Sequence, residues 1–178
     1  MMRINFWIIL FVTSASLIVG VQGNGLQASQ GAEPAATKRQ LDALLSFMVK
    51  KTEGQASKLW GRNKVERIEV RKYSAFGKAT VIGVAYEVKV GDTTYQVSTS
   101  PSAPEVSFWI KSKKAPSASF GDNDRDGLVD WGEFNKLKTP AEKRKLSPQE
   151  GAEHRDFWQG QYQAALDELC RFLEVTVE

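Results

Sequence analysis

Residues 122–133 read DNDRDGLVDWGE and place Asp122, Asp124, Asp126, Asp130 and Glu133 on one short stretch of chain. Carboxylates on alternating residues, followed by a glycine, suit a chain that wraps around a hard divalent cation. Calcium takes roughly six to eight oxygen ligands, and this spacing can supply them. Asp122, Asp124 and Asp126 would offer side-chain oxygens, Leu128 its backbone carbonyl, and Asp130 an oxygen directly or through water. Glu133 would close the shell with both oxygens, while Gly127 permits the sharp turn between the two halves. Magnesium fits less well, because it demands a tight octahedron and keeps several waters. Without a cation these like charges repel, so the sequence predicts an empty loop that is open or disordered and a calcium-loaded loop that is shut.

The same residues resemble the EF-hand calcium loop at every ligand position, with Val129 at its apolar eighth position. They are also similar to the Asp-rich calcium repeats of thrombospondin type 3 and their bacterial relatives, which share the Asp-x-Asp-x-Asp-Gly-Leu-x-Asp core. The resemblance covers residues 122–136 and no other part of the chain. It implies one calcium ion held by Asp122, Asp124, Asp126, Leu128, Asp130 and Glu133. Two departures limit what else it implies. Residues 111–121 (KSKKAPSASFG) contain Pro116 and Gly121 and make a poor helix, so an extended segment is expected to lead into the loop. Residues 131–138 are expected to form a helix leaving it, stopped by Pro140. A single loop without a leading helix has no paired loop to open against, which argues against a calmodulin-like switch.

Other chemistry is sparse. His154 is the only histidine, and it falls in the opening turns of a helix, where a hydrogen-bonded surface role is expected. No Gly-x-Ser-x-Gly or His-Glu-x-x-His string is present. Cys170 is the only cysteine, so no intrachain disulfide can form; beside Leu166, Leu169 and Leu173 it reads as a small core residue. The net charge of +3 is too mild to imply nucleic acid. Trp60 and Trp109 are candidates for a contact surface with a protein partner. These features favour an exported, non-enzymatic accessory or interaction module with a structural calcium ion. A small ligand- or partner-binding domain of cystatin-like layout and a calcium-dependent hydrolase are the alternatives.

The elements that must position the loop can be read around it. Residues 1–23 have the form of a signal peptide: Arg3, then an apolar run over 6–21, then Val21 and Gly23 before a cleavage point. As an uncleaved anchor the run is short against the roughly 20 residues that a spanning helix needs. The body of the protein is thus expected to be secreted or periplasmic, with no stable membrane span after cleavage. Residues 24–36 read as a flexible linker and 37–178 as one domain. Thr37 and Gln40 have capping-box spacing ahead of a helix carrying Leu41, Leu44, Leu45 and Met48. Strands are expected over 65–73, 79–90, 93–100 and around Val106, Phe108 and Ile110, with Gly91-Asp92 turning the middle pair. Ser147 to Glu150 would cap a last helix carrying Trp158, Tyr162, Ala165, Leu169 and Phe172 on one stripe. The expected fold is α+β: a four-stranded antiparallel sheet covered on one face by two helices, with the calcium loop joining the sheet to the last helix.

Overall fold

A computed structural model describes residues 33–56, 61–74, 80–135 and 151–177. The chain starts with helix α1 (Pro34–Lys51), continues through β1 (Arg62–Val65), β2 (Ile68–Ser74), β3 (Val81–Val90), β4 (Thr93–Ser100), β5 (Ala103–Ser112), β6 (Ser117–Asp122) and β7 (Trp131–Asn135), and ends with α2 (Gly151–Leu173). All seven strands form one antiparallel sheet in sequence order, each paired with the next. The class is α+β, but the sheet has seven strands rather than four. The expected strand over 65–73 is two strands, because Glu66-Arg67 makes a hairpin turn between Val65 and Ile68, with Glu66 at φ 50°. The segment before the acidic loop is extended, as anticipated, and forms β6. Residues 131–135, expected to be helical, form β7 instead. The loop therefore joins two strands and does not connect the sheet to the last helix.

The register of the central hairpin is the one that Gly91-Asp92 dictates: Val90 faces Thr93, Val88 faces Tyr95, Tyr86 faces Val97 and Val84 faces Thr99. Strand alternation then assigns the two faces of the sheet. Val70, Tyr86, Val97, Phe108 and Phe120 lie in one row across it, and Ile68, Val88, Tyr95, Ile110, Ala118 and Phe134 in the next. All are buried, and they share one core with Leu41, Leu44, Leu45 and Met48 of α1 and with Trp158, Tyr162, Ala165, Leu166, Leu169 and Leu173 of α2. Phe172 of the expected stripe is only partly buried against that core. Each large apolar side chain buried in this way contributes about 1.5–3 kcal/mol. The opposite face is polar, with Arg62 paired to Glu69 and Glu87, and Arg71 paired to Glu87.

Helix α1 starts before Thr37, at Pro34, whose fixed φ suits a first helical turn. Thr37 is not the cap: it is buried, and its hydroxyl donates to Gln163 Oε1 of α2 at 2.8 Å. Residues 34–36 of the expected linker thus belong to the helix. Further bonds join the helices, with Gln40 Nε2 donating to Asp167 Oδ1 at 2.8 Å and Gln163 Nε2 donating to Gln40 Oε1 at 2.6 Å. The signal segment 1–23, residues 24–32 of the linker, the cap at 147–150 and Trp60 lie outside the described residues. Among the described residues no helix is long and apolar enough to cross a membrane.

Trp158 packs against Phe134 and Phe157, with centroids 5.1 Å apart in both cases, and against Phe120 at 6.2 Å. Its indole lies directly over Gly132 of β7, where a Cβ would meet the ring carbons at well under contact distance. Overpacking of this kind costs about 1–3 kcal/mol. Gly132→Ala is expected to lower unfolding free energy by that amount in urea titrations; an unchanged midpoint would show that β7 and α2 do not pack as described.

Candidate metal centre

Asp122 is the last residue of β6, and alternation puts its side chain on the helix-covered face, in line with Val84, Thr99 and Val106. It is 1% exposed. A carboxylate in such a place needs donors, and three reach it. Oδ1 accepts from the Asp126 backbone N–H at 3.1 Å; Oδ2 accepts from the Gly127 N–H at 3.0 Å and from the Tyr162 hydroxyl at 3.1 Å. Tyr162 is held by its ring, which packs edge-on against Phe108 at 5.3 Å and Phe120 at 5.9 Å. The aromatic core thus aims a hydroxyl at the acid. Burial pushes the Asp122 carboxyl above its ordinary pKa, although the N–H donors and Tyr162 pull the other way. Burial, followed by the nearby Asp122 charge, keeps Tyr162 protonated as a donor.

The rest of the loop folds back on itself. Asp130 Oδ2 accepts from the Asn123 N–H at 2.5 Å, and the Asp130 N–H donates to Gly121 O at 2.8 Å. Asp126 Oδ1 accepts from the Leu128 N–H at 2.8 Å. Helix α2 adds a clamp: Gln159 Oε1 accepts from the Val129 N–H at 2.8 Å, while its Nε2 donates to Gly127 O at 2.9 Å. Peptide planarity then turns the Leu128 carbonyl away from Gln159. Gly127 sits at φ 94°, a conformation that side chains rarely adopt.

The outcome for the six expected ligands is uneven. Asp122, Asp124 and Asp130 each present a carboxylate oxygen, and the three oxygens lie within 4.8 Å of one another. Asp124 and Asp130 are exposed, so a cation could reach the group from solvent. Among the described residues this is the one group of three or more such side chains that could hold a metal ion. Asp126 is outside it, with an oxygen engaged by Leu128. Glu133 is also outside it. It stands opposite Ser119 on β7, with Trp131 and away from Phe134, so it projects from the face opposite to Asp122. Sequence reasoning missed Tyr162 and Gln159, whose roles depend on how α2 lies across the sheet.

The remaining candidates are occupied or unconnected to the loop. His154 Nε2 accepts from the Trp158 indole N–H at 3.0 Å, so the ring serves the core. Cys170 is buried, as expected, and its thiol is pushed up to about 11, chiefly by desolvation. Trp109 is half-buried on the face away from the helices, between Gln96 and Ser119. No protein-family model, curated protein or solved structure matches the chain.

The raised pKa of Asp122 has a definite sign in the pH dependence of stability. A carboxyl whose folded pKa lies above its unfolded value favours folding while protonated, and that contribution is lost as pH rises through the folded value. With a chelator present, the stability of the chain relative to Asp122→Asn is expected to fall as pH climbs from the ordinary carboxylate range through the raised one. Urea unfolding at several pH values measures this; a pH-independent difference would contradict it.

Proposed function

We propose that the chain is an exported calcium-binding protein whose one loop site is structural and serves a non-enzymatic accessory or interaction module. The observation that carries this reading is the convergence of Asp122, Asp124 and Asp130 at the mouth of the β6–β7 hairpin. Three carboxylates supply more negative charge than Arg125 alone can offset, and Arg125 pairs with Asp42 of α1. A calcium ion would take an oxygen from each aspartate, with the Leu128 carbonyl and water available to complete the shell. Calcium at about ten times its dissociation constant would add about 1.4 kcal/mol to stability. That is a useful staple for a domain whose lone cysteine cannot form an internal bridge. The engagement of His154 by Trp158 speaks against that residue as a general base, and so against the hydrolase alternative.

Isothermal titration of the purified chain tests the reading. One-site calcium uptake is expected, with a dissociation constant on the order of 0.1–1 mM, the range of extracellular modules. Asp122→Asn and Asp130→Asn should each weaken uptake by at least about tenfold, the equivalent of about 1.4 kcal/mol. Glu133→Gln should weaken it less than either, the reverse of what the loop pattern alone implies. Absence of uptake at millimolar calcium would overturn the reading, and equal competition by magnesium would overturn the choice of ion.

A further inference from the structure

The face of the sheet turned away from the helices carries an arrangement unrelated to the acidic loop. Register puts Lys89, Thr94 and Lys111 in one row across β3, β4 and β5. Glu87, Gln96, Trp109, Ser119 and Glu133 form the row beside it. Trp109 is half-buried, and its indole N–H has no hydrogen-bond partner among the described residues. Lys89 and Lys111 are exposed and, among the described residues, paired with no acid. Their backbones stand two strand spacings apart, about 10 Å. On the β1–β4 side of this face lies a hollow of about 460 Å³, with Lys64, Lys89 and Thr94 in its wall. Two of its acids are already neutralised, Glu69 by Arg62 and Glu87 by Arg62 and Arg71. That leaves Lys64 and Lys89 against Glu66 of the β1–β2 turn, so the hollow has cationic charge to spare.

The aspartates of the loop do not cancel that charge. Asp122 is level with Val84, five residues along β3 from Lys89, which is about 17 Å of strand. The Debye length at physiological salt is about 8 Å. Glu133 stands about 10 Å from Trp109, across two strands. We propose that this face binds an acidic polysaccharide. A sugar ring lies on the Trp109 indole, and its carboxylate or sulfate groups lie between Lys111 and Lys89 and in the hollow beyond Thr94. The chemistry favours a glycan over other polyanions. A sugar offers an apolar ring face edged by hydroxyls, and Trp109 is flanked by the Gln96 amide and the Ser119 hydroxyl. A lipid surface would need large apolar side chains beside the lysines, whereas Val49, Ile82, Leu128, Trp131 and Val177 all lie outside that row. A single-stranded nucleic acid would need successive aromatic platforms and a cation for most phosphates. These two rows hold one indole and two free lysines. The proposal goes beyond the calcium reading and is independent of it.

Titration of the full chain with alginate, polygalacturonate and heparin oligosaccharides, followed by calorimetry and tryptophan fluorescence, tests this. A chelator is kept present throughout. Saturable binding of at least one acidic oligosaccharide is expected, with a change in fluorescence and no binding of a neutral dextran oligosaccharide. Trp109→Ala should weaken binding by about tenfold. Lys89→Gln combined with Lys111→Gln should weaken it by about tenfold in low salt, and by less in about 1 M salt. Both lysines are exposed, so that pair reads the proposal even where Trp109→Ala fails to fold. Lys50→Gln combined with Lys51→Gln removes the same charge from α1 and should leave the affinity unchanged. Binding of none of the three oligosaccharides, equal binding of dextran, or an equal loss in the α1 pair would overturn the proposal. So would tighter binding of phosphatidylglycerol vesicles or of oligothymidylate. With calcium chelated, none of these results bears on the calcium reading.

Discussion

A carboxylate buried at the end of a strand is the constraint around which this molecule is arranged. Asp122 belongs to the apolar face of the sheet by register, yet it carries a group that apolar surroundings penalise. Two backbone N–H groups from its own loop and a hydroxyl from α2 offset that penalty. Each places a demand on a different part of the chain. The N–H donors require residues 126–127 to turn back beneath the strand, which Gly127 makes possible. The hydroxyl requires α2 to lie across the sheet at the height that packs Tyr162 edge-on against Phe108 and Phe120. The hairpin loop, the helix and the aromatic core are thus parts of one solution to one buried charge.

Connectivity makes that solution available. A meander of seven strands needs only short connections and leaves one face to be covered. The helices that cover it come from opposite ends of the described chain, and they meet through Thr37, Gln40, Gln163 and Asp167. The β6–β7 loop lies where both can be reached, touching α1 through Arg125 and Gly127 and α2 through Gln159 and Tyr162. It thus bonds to the sheet and to both helices.

Much of this was legible in the sequence, wherever a local signal agreed with the tertiary arrangement. Period-two alternation around Gly91-Asp92 fixed the central hairpin residue by residue, and helical spacing identified the buried faces of α1 and α2. The failures have specific causes. Glu66-Arg67 turns the chain without glycine or asparagine, so two short strands read as one. Ser117 to Asp122 reads only as an extended lead-in to the loop, and pairing with β5 makes it a further strand of the sheet. Trp131 to Asn135 has no strand alternation of its own and sits after a loop that resembles a helix-flanked motif; pairing with β6 overrode that expectation. Glu133 follows from the same error, since a ligand expected on a helix turns to the other face once its segment is extended. Tyr162 and Gln159 gave no signal, because a tyrosine and a glutamine on a helix acquire their meaning only from what the helix lies across.

The central claim is that oxygens of Asp122, Asp124 and Asp130 share one calcium ion while Tyr162 still donates to Asp122. A crystal structure of the chain grown in calcium, with anomalous scattering collected to identify the ion, tests it most directly. The account predicts a single calcium peak about 2.3–2.6 Å from an oxygen of each aspartate, with residues 131–135 still paired to β6 and Glu133 on the far face. Ordered water in place of the ion, or a calcium ion bound by Glu133 with β7 detached from the sheet, would contradict it.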